Sequence, residues 1–166
     1  MKHAKERERF ERFLRSRSLK LTPQRARVFD RAFETEEHFS AERLYDWLRE
    51  EGGDGSSAVS RATVYRTLQL LLEGGFVESL DTGRGEVVYE HTLGVSHHHD
   101  HMVCIECGRI EEFHDERIEE LQQDACTAKG FELVRHTLRL MGYCPECRKA
   151  RAREAGKARS SSAQPR

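Results

Sequence analysis

A chain of 166 residues with 28 Lys+Arg against 29 Asp+Glu has almost no net charge, and its length fits one large domain or two small ones. It has no apolar run long enough to span a bilayer and no apolar signal segment after Met1, so the expectation is a cytoplasmic chain with no membrane partner. Reducing conditions there disfavour disulfides for the five cysteines, so the paired ones read as metal ligands. The near-zero total hides an asymmetry. Residues 1–33 carry eleven Lys/Arg against four Asp/Glu, residues 86–148 carry six against thirteen, and the tail 149–166 carries six against one. A basic front suits a polyanion, and an acidic back suits cations.

In chain order, residues 5–17 place Phe10, Phe13 and Leu14 on one stripe of a helix, which Ser18-Leu19-Lys20-Leu21 interrupts. Thr22-Pro23 reads as a cap followed by the first helical position, with Val28, Phe29, Ala32 and Phe33 as the buried side. His38-Phe39 forms a connection, and Ser40 caps a third helix with Leu44, Trp47 and Leu48 inward and Glu42 in its first turn. The loop 52–57 ends it. Ser60 caps a fourth helix whose inner side is Val64, Leu68, Leu71 and Leu72; its outer side shows Arg61, Thr63, Tyr65, Arg66 and Gln69, all able to reach phosphates or base edges. Residues 76–80 and 86–90 flank the turn 81–85 as a hairpin. Helices followed by a hairpin make a winged helix-turn-helix pattern, in which the helix after the turn enters the major groove. A plain helical domain with a solvated polar face is the competing reading.

The second half predicts strands over 101–105 and 109–113, a helix opened by Asp115 with Ile118, Leu121 and Ala125 inward, and a stop at Gly130. Residues 131–141 suit a strand whose buried face the pattern does not fix, since Phe131 and Leu133 fall in one register and Leu138 and Leu140 in the other. Cys126 sits within the helix and reads as an inert structural thiol. The whole is α+β: a winged-helix domain over 1–89 with a charged N-terminal helical extension, a hinge at 90–96, a small metal-binding α/β domain over 97–148, and a disordered basic tail over 149–166. So small a unit, with an edge strand and a metal staple, points to zinc dependence and dimerisation.

The chemistry is concentrated in His97-His98-His99-Asp100-His101 and the Cys104-x-x-Cys107 that follows, with a second pair at Cys144-x-x-Cys147. Two such pairs with a long spacer fold into one tetrahedral four-thiolate zinc site, because each two-residue spacer turns both sulfurs toward one ion. Imidazoles and carboxylates suit a harder, more labile ion, so two kinds of metal site are expected. On a strand, His99 and His101 face one way and His98 and Asp100 the other, so two sites can share it. A zinc hydrolase and a metal-storage protein are the readings from other classes. The first lacks a His-Glu-x-x-His helix and a nucleophile paired with a base; the second has no use for the display on residues 63–69.

Leu21-Thr22-Pro23-Gln24-Arg25, His38-Phe39-Ser40-Ala41-Glu42-Arg43-Leu44-Tyr45, Ala62-Thr63-Val64-Tyr65-Arg66-Thr67-Leu68, the histidine run and Cys104-x-x-Cys107-Gly108 together resemble the ferric uptake regulator family of bacterial metal-responsive repressors, over roughly residues 18–147. The resemblance implies a winged-helix DNA-binding domain, an α/β dimerisation domain, and a homodimer, with dimers associating further on DNA as an option, that binds palindromic double-stranded operators when loaded with metal. It implies structural zinc on Cys104, Cys107, Cys144 and Cys147. A regulatory site would comprise His38, Glu90, His99, His101 and Glu112, with His91 as the alternative to Glu90, and a second site His98, Asp100, Glu119 and His136. For DNA it points to Tyr65 and Arg66 in the major groove, Lys20 in the minor groove, and Thr63 at a phosphate or a cap. Both carboxylates of the regulatory set are Glu, where the peroxide-sensing branch resembles an arrangement with Asp. Fe2+ is therefore the expected regulatory ion, with Mn2+ or Zn2+ and a zinc- or peroxide-sensing regulator as alternatives, and no enzymatic activity is expected.

Overall fold

The computed structural model describes residues 3–52, 58–92 and 100–161. Four of its helices begin on side-chain caps. The hydroxyl of Thr22 accepts the Arg25 N–H at 3.3 Å and opens α2, Pro23–Glu34; Ser40 accepts that of Arg43 at 3.2 Å and opens α3, Ala41–Glu50. Ser60 does the same for Thr63 at 3.2 Å at the start of α4, Arg61–Glu73, and Asp115 for Arg117 at 3.0 Å at the start of α5, Glu116–Ala128. Each cap satisfies an N–H that the first helical turn leaves without a backbone partner. The N-terminal α1, Ala4–Ser16, has no side-chain cap. It is held by its apolar stripe: Phe10 and Leu14 are fully buried, and the Phe10 ring stacks on Phe29 and meets Phe76 edge-on at 5.2 Å.

The chain divides into two compact units. The first runs to Asp81 and takes in the described residues from Gly85 to Thr92; the second holds Thr82–Arg84 and the described residues from Asp100 onward. In the first, α1 to α4 enclose a core of Phe10, Phe29, Phe33, Leu44, Val64, Leu68 and Leu71. A three-stranded sheet closes it, in the order β1, Phe39–Ser40; β3, Val87–His91; β2, Val77–Asp81, with antiparallel pairing throughout. Three helices and a hairpin in this order are the expected winged-helix arrangement. The expected loop at 53–57 lies outside the described residues. One boundary is corrected. Glu90 and His91, expected to open a hinge, are the last residues of β3, opposite Glu78 and Val77.

The second unit has a sheet in the order β5, Ile110–Phe113; β4, Asp100–Cys104; β6, Arg139–Gly142. β4 pairs antiparallel with β5 and parallel with β6. Only four residues of the expected strand over 131–141 and its surroundings pair, and Leu140 and Met141 are exposed. The expected inward face of α5 is likewise open, with Leu121 67% exposed and no residue of the helix buried. A second correction concerns the tail. Residues 149–161, expected as disordered, continue α6, Pro145–Ser161. The sequence there alternates Ala with Arg and Lys, which are strong helix formers, and Pro145 at the first position is pre-set for a helix start. No helix among the described residues is long and apolar enough to cross a membrane.

Candidate metal centres and nucleic-acid face

The four thiols lie on two knuckles. Cys104 ends β4, Cys107 follows shortly after it, Cys144 immediately precedes α6, and Cys147 sits in its first turn. Their sulfurs are all within 4.8 Å of one another, and Cys107 Sγ is 3.8 Å from Cys144 Sγ. A zinc tetrahedron with Zn–S bonds of about 2.3 Å has sulfur–sulfur edges of roughly 3.8 Å, so the donor set and its spacing fit that ion. The Cys144 N–H donates to Cys104 Sγ at 3.3 Å. This bond, with the backbone N–H of Cys107, pulls the Cys104 thiol down to about 6, so it presents a thiolate at neutral pH. Cys147 moves the other way, pushed up first by its contact with the Cys144 thiol. Two arginines tie the knuckles from outside: Arg109 reaches Glu146 at 3.2 Å, and Arg151 reaches Glu106 at 3.4 Å while lying over the Tyr143 ring.

A second cluster lies beside β4 within the same unit. Asp100, fully buried, has an oxygen 3.9 Å from His136 Nε2, which lies 3.2 Å from Glu119 on α5. The three ligand atoms lie within 4.8 Å of one another. Two carboxylates and one imidazole, with Asp100 shut off from water, are a set that a cation neutralises. His98, the fourth residue expected here, lies outside the described residues, as does His99.

The remaining expected ligands form two pairs, one in each unit. In the first, His38 Nε2, just before β1, is 3.3 Å from Glu90 Oε2 on β3. In the second, His101 is buried and stands opposite Glu112 across β4 and β5. Strand alternation separates Glu90 from His91. Glu90 faces His38, while His91 turns to the other side and stacks on Phe33, ring centroids 5.5 Å apart, with His3 beyond it.

On α4 the exposed side carries Arg61, Tyr65, Arg66 and Gln69, with Tyr65 50% exposed. Thr63 belongs to the cap, its hydroxyl 3.0 Å from that of Ser60. Lys20 is exposed just ahead of α2, and its carbonyl accepts from the Arg25 guanidinium at 2.7 Å. The N-termini of α2 and α4 converge on a polar groove of about 270 Å³ lined by Gln24, Arg25, Ser60, Thr63 and Arg66, which suits a phosphate. Glu42 makes a contact that sequence reasoning missed. Its carboxylate accepts from the Tyr65 hydroxyl at 3.2 Å and pairs with Arg61, a link between α3 and α4 that no local pattern marks.

The family model of the ferric uptake regulator family matches residues 16–141. The chain belongs to that family. It is 39% identical over 136 residues to the ferric uptake regulation protein of Neisseria meningitidis, covering 81% of this chain and 90% of that one. Among solved structures, the Helicobacter pylori ferric uptake regulator, described as having three functional metal-binding sites, superposes with a TM-score of 0.71 at 29% identity, covering 85% of this chain and 90% of that one. The Pseudomonas aeruginosa regulator with manganese gives 0.66 at 36% identity, covering 80% and 95%. Family membership makes the chain a metal-responsive regulator. The matched span ends within β6, ahead of the second knuckle and the whole of α6.

Proposed function

We propose that this protein is a transcriptional repressor that binds palindromic operator DNA as a homodimer when a divalent ion, Fe2+ foremost, is bound. The observation that carries this reading is the division of the regulatory ligands. His38 with Glu90, and His101 with Glu112, are each a histidine–carboxylate pair too small to complete the shell of such an ion. Two half-sites in two compact units favour one shared ion, with His99 completing the set. His38 and Glu90 of the first unit, with His99, His101 and Glu112 of the second, would hold the ion, which would supply a divalent charge to their nitrogen and oxygen donors. The arrangement of the winged helix that lets all of them bind would then gain population by the ion's differential affinity for it.

Each of the other residues has a defined task. Cys104, Cys107, Cys144 and Cys147 would hold structural zinc and keep β4, β6 and α6 together, and Asp100, Glu119 and His136, with His98, a second ion. Tyr65 meets thymine methyls, Arg66 reaches bases or phosphates in the major groove, and Lys20 enters the negative minor groove. Dimerisation is favoured by the second unit's surface: Leu121, Phe131, Val134, Leu140 and Met141 are exposed, whereas Val103 and Cys104 are the only buried apolar residues among those described from Asp100 onward. Anaerobic mobility-shift titrations on the promoter of its own gene, with Fe2+, Mn2+ and Zn2+ added separately, test the reading. Retardation that appears with Fe2+ and is lost on chelation is expected. Equal retardation with and without any of the three ions refutes it, and retardation with Zn2+ alone replaces iron by zinc.

A further inference from the structure

We propose that α6 is a second contact for duplex DNA that reads phosphates without regard to sequence. This rests on the operator-binding reading above and extends it to a part of the chain outside the residues that match the family model. From Arg148 onward the chain carries Arg148, Lys149, Arg151, Arg153, Lys157 and Arg159 within the helix, against Glu154 alone. Arg151 is engaged with Glu106 and Tyr143 and holds the helix to the first knuckle. Arg148, Lys149 and Arg153 are exposed, and neither Arg148 nor Arg153 has a carboxylate partner among the described residues.

The composition of the helix selects the partner. Between Arg148 and Ser161 its apolar residues are alanines only, so it has no stripe to lay into a membrane interface or an apolar groove. What it offers is a basic sequence on a helix of regular rise, with Arg148, Lys149 and Arg153 exposed, started by Pro145 and anchored by Cys147 at the thiolate site. A duplex, with a negative charge about every 1.7 Å of its axis, is the partner such a sequence fits. Arginine also pairs with phosphate in fork geometry, which favours it over a merely solvating cation.

The test compares the full-length, metal-loaded protein with a variant carrying Lys149→Gln, Arg153→Gln, Lys157→Gln and Arg159→Gln. None of these is a proposed metal ligand or a recognition residue. Binding to the promoter duplex and to a shuffled duplex is measured between about 50 and 200 mM salt. With four changes in each of two protomers, the logarithmic salt slope should become shallower by up to about 7, at roughly 0.9 for each phosphate no longer neutralised, and affinity should fall by the same factor on both duplexes. A variant with Arg153→Lys and Arg159→Lys should keep the wild-type slope. Unchanged slopes in the Gln variant, with zinc content and helicity preserved, overturn the proposal. A wild type that shows no metal-dependent preference for the promoter fails the repressor reading instead, while the slope comparison still decides the role of α6.

Discussion

Glu90 and His91 are adjacent residues that both bind metals well in other settings, and the sequence leaves them equivalent. Once β3 is paired in register, alternation separates them: Glu90 goes to His38 and His91 to Phe33. Register is a long-range property, so no window of local sequence contains it. The end of α1 is a similar case. Leu19 N–H to Leu14 O and Ser18 N–H to Arg15 O form the same two bonds that close α4 at Gly75 and α5 at Gly130, yet Ser18 takes the left-handed φ of 58° with a side chain. Ser18→Gly should therefore stabilise the protein by up to about 1 kcal/mol, seen as a higher urea midpoint at unchanged slope. At the thiolate site the shift sets a pH window. With the folded Cys104 thiol at about 6 against 9.0 ordinarily, the stability its thiolate contributes is complete above pH 9 and is lost as pH falls through about 6. In zinc-stripped protein, the ultraviolet absorbance of thiolate should show one thiol titrating near pH 6, and Cys104→Ser should abolish that step.

The helices were legible as elements because their starts are encoded within four residues. Thr22, Ser40, Ser60 and Asp115 each cap as the sequence indicates. The helical tail was not legible, because a charged segment without apolar period resembles disorder in composition, while alanine and arginine propensity, with a metal knuckle at its start, favours helix. The bounds of β6 were hidden too, since its parallel pairing with β4 follows from the knuckles rather than from its own alternation. α1 lies almost wholly ahead of the residues that match the family model, but Phe10 is part of the core, so Phe10→Ala should cost about 3–5 kcal/mol in urea unfolding. An exposed change such as Glu8→Ala, which removes a surface pair with Arg12, should cost under about 0.5 kcal/mol. The second unit buries little by itself, so stripping zinc should lower the hydrogen-exchange protection of the amides of β4, β6 and α6 while leaving that of α2 and α4 unchanged.

For the whole molecule, the charge asymmetry and the two-part organisation were readable from the chain. So was the gathering of Cys104, Cys107, Cys144 and Cys147, because cysteines at short spacing carry their chemistry in plain sequence, whereas the cluster of Asp100, Glu119 and His136 was legible only through the family resemblance. What the sequence did not show is that, among the described residues, His38 meets Glu90 in the first unit and His101 stands opposite Glu112 in the second, a division that favours a shared ion. A shared ion predicts non-additivity. The decisive measurement is a double-mutant cycle on Fe2+-dependent operator affinity with His38→Ala, His101→Ala and the double variant, zinc content being held at the wild-type level. If one ion joins both residues, either single change should remove most of the metal-dependent gain and the double should lose little more. Losses that simply add, or a His38→Ala protein with the full wild-type response, would contradict it.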